Sequence, residues 1–347
     1  MKVSLFVHME RTDESVAHPE LYANFLELCE MADQGGFCAI WVGEHHGMDF
    51  TIAPNPFAQI CDLANRTSNV RLGTATLVAP FWHPIKLAGE AAMVDIISQG
   101  RLELCLSRGA YQFEYDRLSP GLDAWVAGEK LRETIPAIQA LWAGDYTHDG
   151  KHWQFPATTS IPKPIQSPHP AMWIAARDPD THNFAIANDC NIQVTPLWQG
   201  DEEVQNLMDK FNTAVANNPD KPRPKIMVLR HTFVSESEDA IAQAARDMSD
   251  WYCTFGAWFK NDRPVSNGSI NPLSEEEKAG IEMFSPENMR NNHIFGTPEH
   301  VIERMKSYEA MGYDEFSFWL DNGMNHSIKK KTLELFIEKV MPEFETI

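Results

Sequence analysis

The sequence predicts an α/β protein, a (β/α)8 TIM barrel, on three observations. Short runs rich in β-branched and apolar residues alternate with longer segments of helical periodicity along most of the chain. There are eight such runs, enough to close a parallel sheet on itself. Each connection between them is long enough for the right-handed helical crossover that parallel strands require. The length, 347 residues, suits one such barrel with enlarged loops, so residues 1–347 are read as a single domain. An open doubly wound sheet shares the same alternation and is the competing architecture.

The strand candidates follow in order. Val3 to His8 (VSLFVH) comes first, and an amphipathic segment from about Pro19 to Gln34 follows it, stopped by Gly35-Gly36. Cys38 to Gly43 (CAIWVG) precedes a helix near Pro56 to Arg66, and Asn69 to Pro80 precedes one near Pro84 to Ile97. Arg101 to Gly109 leads to a long helical stretch from about Ala124 to Trp142. Ala171 to Ala176 is followed by a helix near Pro179 to Asn188. Asn191 to Pro196, Lys225 to Val234 and Asp314 to Leu320 each lead into a further helical segment.

Three segments interrupt this rhythm. Residues 110–123 form a polar and aromatic loop after the fourth strand. Residues 144–170 hold a hairpin pattern, DYTHDGKHWQF with Asp149-Gly150 at the turn, and then the proline-rich IPKPIQSPHP. Residues 260–292, after the seventh strand, contain few large apolar side chains. A connection that long in a compact domain is expected to be a lid or binding loop. Insertions are therefore expected after strands 4 and 7.

Composition narrows the function. At 43% hydrophobic and 22% charged, the chain is an ordinary globular protein with enough apolar material for a large core. A formal charge of −20 repels phosphate backbones and anionic membrane surfaces, which argues against nucleic-acid and membrane partners. An anionic cofactor would have to be held by local basic groups or helix N-termini. The six cysteines stand far apart with no metal or redox spacing, as expected of reduced thiols in the cytoplasm. No stretch reaches the roughly 18 apolar residues of a membrane span.

In a β/α barrel the chemistry lies at the C-terminal ends of the strands. The second strand runs into Glu44-His45-His46, the third carries Gly73-Thr74-Ala75-Thr76, the fourth ends in Ser107-Arg108-Gly109, and the fifth in Ala176-Arg177-Asp178. Successive side chains on a strand point to opposite faces, so His45 and His46 are poor candidates to chelate one metal, and none is expected. His45 is better read as a proton-transfer group near neutrality. Glu44, beside apolar Trp41-Val42, needs a hydrogen-bond donor, either a cofactor N–H or a neighbouring imidazole. Arg108 and Arg177 end adjacent strands, and the helix opening Asp178-Pro179-Asp180-Thr181 is a ready anion site, so the two guanidiniums are expected to clamp a phosphate. Asp178 could alternatively serve as a plain helix cap.

These residues carry a family resemblance. AIWVGEHHG, NPF, NVRLGTATLVAPFWHPIKLAGE, DIISQGRLELCLSRGAY and FGTPEHVIERM together resemble the bacterial-luciferase-like flavin monooxygenases. The likeness runs from Met1 to about Thr195 and again from about Asn292, and between them it lies in layout only. It implies reduced FMN delivered by a separate flavin reductase, O₂ as co-substrate, a peroxyflavin, and oxygenation of a small, largely apolar aldehyde, ketone or hydrocarbon. Carried over by position, Glu44 lies near the flavin ring and is expected to be catalytic together with His45, the catalytic imidazole, and Ala75-Thr76 is a non-proline cis peptide under the ring. Arg108 holds the phosphate, with Ala176, Arg177, Asp178 and Thr181 around it. Where luciferases proper carry a reactive cysteine this chain has Ser107, which puts light emission in doubt. Residues 260–292 correspond to the mobile lid, and the resemblance favours a homodimer. A deazaflavin-dependent hydride-transfer enzyme and a non-catalytic partner subunit are the alternatives.

Overall fold

The computed structural model describes residues 1–11 and 13–344. Eight parallel strands form the barrel: β1 (Lys2–Phe6), β2 (Ala39–Val42), β3 (Arg71–Thr74), β4 (Leu102–Ser107), β5 (Ala171–Ala175), β6 (Asn191–Val194), β7 (Ile226–Val234) and β8 (Glu315–Trp319). They pair in chain order. The sheet closes because β8 pairs both β1, from Lys2↔Glu315 to Phe6↔Trp319, and β7, which in turn pairs β6. The open-sheet alternative is thereby excluded.

Among the described residues the crossovers are carried by α1 (His18–Gln34), α2 (Pro56–Arg66), α3 (Pro84–Ile97), α4 (Ala124–Ala143), α5 (Pro179–Ala187), α6 (Asp201–Asn217), α7 (Glu238–Lys260) and α8 (Pro298–Met311), and α9 (His326–Lys339) follows the last strand. Their starts follow local chemistry. Asn55, Asp178, Thr297 and Asn325 each accept an N-terminal amide, and proline opens α2, α5 and α8, where its missing N–H costs nothing.

Strand alternation sorts the side chains into two shells. Val3, Leu5, Ile40, Val42, Leu104, Ile174, Val228 and Phe318 pack outward against the helices. Phe6, Ala39, Trp41, Cys105, Trp173, Met227 and Trp319 belong to the second shell, inside the barrel. Trp41 and Trp173 meet edge to face at 5.4 Å, and their indole N–H groups donate to Glu315 (2.9 Å) and Glu103 (2.6 Å). Gly73 is required there, since a Cβ would come within 2.1 Å of the Trp41 ring. Burial pushes the Glu315 carboxyl up to about 7.

The irregular segments are more structured than their composition suggests. Within 110–123, Gln112–Leu118 is helical. In 144–170, Tyr146–Asp149 pairs antiparallel with Gln154–Thr158, and the proline-rich run contains cis bonds at Ile161-Pro162 and Ser167-Pro168. Within 260–292, Val265–Ser266 and Ser269–Ile270 form a hairpin whose turn residues Asn267 and Gly268 both have positive φ, the backbone that Asn-Gly favours. Ile294–Gly296, absent from the sequence reading, pairs with the end of β7. The third strand breaks at Ala75-Thr76, whose peptide bond is cis, and resumes as Leu77–Val78 beside β4. No helix among the described residues is long and apolar enough to cross a membrane. The six cysteines are unpaired.

Candidate active site at the barrel mouth

The C-terminal mouth is asymmetric. Along β2 to β5 its inward positions are small: Gly43, Ala75, Ser107 and Ala175. From β7 through β8 to β1 they are bulky rings, His231, Trp319, Phe6 and His8. The mouth is thus lined by small side chains on one side and by a wall of rings on the other. Gly43 serves the wall as well, because a Cβ there would lie 2.3 Å from the His8 ring.

Glu44 is buried and fully engaged. It accepts from the Val78 amide at 2.6 Å, the Trp82 indole at 3.0 Å and His46 Nε2 at 2.8 Å. The neighbouring imidazole foreseen as its donor is present, and the indole and amide take its remaining capacity. Its role in the structure is to hold the β2 end against the segment after β3. The hydrogen bond to Glu44 raises the His46 pKa above the usual histidine range.

His45 faces the other way. Its backbone amide bonds the Ala53 carbonyl at 2.9 Å, and its ring meets Tyr111 edge to face at 5.4 Å and lies 5.7 Å from His8. Its Nδ1 lies 3.5 Å from a carboxylate oxygen of Glu114, a buried residue on the short helix in the 110–123 segment. Sequence reasoning missed Glu114. The only available signal was an acid in an aromatic insertion following a strand end.

The anion end differs from expectation in its second guanidinium. Arg108 lies at the end of β4 and donates to the Ala124 carbonyl at 3.1 Å, where α4 begins. Arg177 instead turns to Gln199 (2.8 Å) and Glu203 (3.3 Å) beyond β6, drawn there by the carboxylate. Its place beside Thr181 is taken by Arg132 of α4, which donates to the Thr181 hydroxyl at 3.2 Å. Arg132 also lies against Gly128, one turn from Ala124, so both guanidiniums border the same face of α4. Asp178 caps α5 by accepting the Thr181 amide (2.9 Å) and hydroxyl (2.7 Å). Burial opposes ionisation of Asp178, but the Thr181 bonds hold its pKa below the usual range. The Ala176 side chain packs outward with the helix-facing shell, its amide donates to the Gln193 carbonyl and its own carbonyl accepts from His182 Nε2 at 3.2 Å, so, contrary to expectation, none of its groups is turned to the rim.

The opposite side of the mouth is covered by α7 and the 260–292 segment. Leu273 donates its amide to the Cys253 carbonyl, and the hairpin tip reaches the β2 loop, where Asp49 donates to the Gly268 carbonyl at 2.8 Å. Behind the wall, Lys329 is buried between Glu10 and Asp321, both at 2.7 Å. Burial alone would lower its pKa, but the two carboxylates hold it above the usual lysine range. Asp321 also accepts the His8 amide at 2.6 Å. No group of three or more metal-ligating side chains occurs among the described residues.

A closed parallel barrel with its polar side chains gathered at the strand C-termini defines a β/α-barrel enzyme. The chain belongs to the luciferase-like monooxygenase family, whose model matches residues 1–315, and it is a flavin-dependent oxidoreductase that incorporates molecular oxygen. It is 59% identical over 344 residues to the oxygenase component of the flavin-dependent trigonelline monooxygenase of Acinetobacter baylyi, covering 99% of this chain and 96% of the relative. Among solved structures, a monooxygenase from Streptomyces bottropensis superposes with a TM-score of 0.82 at 23% identity, covering 99% of this chain and 100% of that one. The oxygenating constituent of 3,6-diketocamphane monooxygenase from Pseudomonas putida, in complex with FMN, gives 0.78 at 18%, covering 100% and 99%. These two likenesses establish the fold.

Proposed function

We propose that the chain is the oxygenase component of a two-component system, receiving reduced FMN from a separate flavin reductase and using O₂ to oxygenate trigonelline or a closely related N-methylpyridinium acid. The observation that carries this reading is the 59% identity, over 99% of the chain, to the oxygenase component of a trigonelline monooxygenase, and the barrel-mouth placement of His45, of Arg108 at Ala124 and of Arg132 at Thr181 supports it. The residues fit FMN. Two guanidiniums near the start of α5 suit a phosphate monoester, and the Thr181 hydroxyl, which donates to Asp178 and accepts from Arg132, holds the second of them in place. Ala75, Thr76 and Ala175 leave room for an isoalloxazine ring, and Arg177 and Asp178 support the rim.

When bound, the reduced flavin supplies the electrons that activate dioxygen. The protein's part is to orient it, exclude water and move a proton. His45 is the proton-transfer group, Glu114 positions its ring, and Glu44 anchors the strand from which it projects. Residues 260–292 act as the lid, resting on the β2 loop through Asp49 and Gly268, and keep water from the reacting centre. Met93, Ile96 and Ile97 on α3, with Ile161 and Ile165 nearby, form an exposed apolar face that supports a homodimer.

The test is to bind reduced FMN anaerobically, admit isotopically heavy dioxygen with trigonelline, and analyse the product. One heavy oxygen atom in the product supports the reading. Oxidation of substrate by a deazaflavin without oxygen uptake would replace it with hydride transfer, and absence of any turnover by the isolated chain would favour a non-catalytic partner subunit.

A further inference from the structure

The ring wall is unusual in its polar atoms. Trp251, Tyr252, Trp258 and Trp319 are all buried, and the three indole N–H groups and the Tyr252 hydroxyl have no hydrogen-bond partner among the described residues. Indoles only donate. A folded chain leaves few such groups unpaired, and a cluster of them requires an explanation.

Three of the four are contiguous, and Trp258 stands apart against Phe113 at 4.9 Å. His231 stacks on Trp319 at 3.7 Å and touches Trp251 (5.0 Å), Tyr252 (5.7 Å) and His293 (5.0 Å), while Trp251 contacts Trp319 at 5.7 Å. Trp319 reaches Phe6, Phe6 reaches His8, and His8 reaches His45, so the cluster adjoins the proposed reacting centre.

The one acceptor whose tautomer is determined is His231 Nε2. Its Nδ1 faces the Asp321 carbonyl and Asn322 Oδ1, both at 3.0 Å, and must carry the hydrogen, leaving a lone pair on Nε2. Burial holds this imidazole neutral, with its pKa lowered to about 3. His293 also leaves both ring nitrogens unpartnered, one a donor and one an acceptor, so among the described residues the wall still has more donors than acceptors, and buried Arg230, with its Nε unpartnered and Asp201 3.9 Å away, is the cation beside it. That arrangement is poorly matched to an aldehyde chain or a hydrocarbon, which would leave most of the donors unpaired.

We infer that this ring cluster is the specificity-determining subsite for the substrate's carboxylate, with Trp251, Tyr252 and Trp319 as its hydrogen-bond donors. The electron-rich faces of the same rings suit the cationic heterocycle that bears the carboxylate. The assignment rests on the reading that the barrel mouth is the active site and that its substrate is a pyridinium acid.

Calorimetry separates the two. Titrating the full chain loaded with oxidised FMN, we expect trigonelline to bind at least ~100-fold more tightly than the N-methylpyridinium ion, which lacks the carboxylate. Tyr252→Phe and Trp251→Phe should each weaken trigonelline about tenfold while changing FMN affinity by less than about twofold. Equal binding of the two ligands, or variants that hold trigonelline as tightly as the parent, would overturn the subsite. The ligand pair decides the matter on the parent protein even if a variant misfolds. Oxygenation of trigonelline by a chain that binds it no more tightly than the N-methylpyridinium ion defeats this inference alone, whereas failure of trigonelline to bind while FMN binds and an aldehyde is oxygenated defeats the pyridinium-acid substrate as well. Failure of FMN to bind defeats the functional reading beneath it.

Discussion

Nδ1 of His45 lies 3.5 Å from Oε2 of Glu114, and the other oxygen of that carboxylate accepts the backbone amide of His46 at 2.7 Å. The same carboxylate therefore fixes the backbone that carries the imidazole and faces the imidazole itself. At that separation Nδ1 makes no hydrogen bond, so the carboxylate acts on the ring through its charge, and in the proposed mechanism a proton on Nδ1 would leave Nε2 free.

His45→Ala should leave FMN affinity nearly unchanged and lower product formation by roughly 10²–10⁴-fold, with peroxide released instead. Glu114→Gln should cost about tenfold and shift the pH profile of kcat/KM, because the amide lacks the charge that acts on the ring. Oxygen-electrode and product assays across pH provide the check. Unchanged coupling in His45→Ala would remove the imidazole from the mechanism.

Arg108→Ala and Arg132→Ala should each weaken FMN by about 10–100-fold, the range for a hydrogen bond to a charged group, and leave riboflavin affinity nearly unaltered. Fluorescence titration with both ligands measures the difference. Equal losses for both would place the phosphate elsewhere. Arg177→Ala, whose guanidinium is held by Gln199 and Glu203, should show the smaller effect.

Glu315→Gln tests the buried carboxyl beneath the mouth. Because the folded-state pKa, about 7, lies above the unfolded value, the native protein holds a proton that the unfolded chain loses between them. Wild-type stability from this group is greatest at low pH and declines by about 1.4 kcal/mol per pH unit until the folded pKa is passed. The glutamine variant lacks that decline, so its advantage over wild type should grow from about pH 5 to pH 7 and then level off. Urea unfolding at several pH values reads this directly, and parallel curves for the two proteins would contradict it.

Lys329→Met should destabilise the fold by about 3–5 kcal/mol, because Glu10 and Asp321 would remain buried without their cation. Combining it with Glu10→Gln and Asp321→Asn should recover part of that loss. Denaturant midpoints provide the comparison, and a single variant as stable as wild type would show that water reaches the two carboxylates.

Met93→Lys with Ile97→Lys should convert a dimer to a monomer in light scattering, since both side chains lie on the exposed apolar face of α3. A parent protein that is already monomeric would end the homodimer reading.

The barrel strands were legible because each is short, apolar and bounded by a helical segment, and burial on both faces permits little else. Caps such as Asn55-Pro56 and Asp178-Pro179 were equally legible, being local chemistry. Glu44 was correctly expected to need a donor, but Trp82 and Val78 supply most of it and belong to another part of the chain. Arg132 escaped notice because nothing in a mid-helix arginine reveals which loop it will meet. Arg177 was misplaced because the carboxylate that draws it away, Glu203, lies beyond the next strand.

What the amino-acid order determined by itself was periodicity, and with it the eight strands, their helices and the rim on which His45 and Arg108 stand. What only the tertiary structure decided was partnership: Glu114 with His45, Arg132 with Thr181, and the donor-rich rings of α7 against those of β7 and β8. Periodicity follows from backbone geometry repeated every few residues, whereas partnership depends on barrel closure, which brings together side chains that are far apart in the chain.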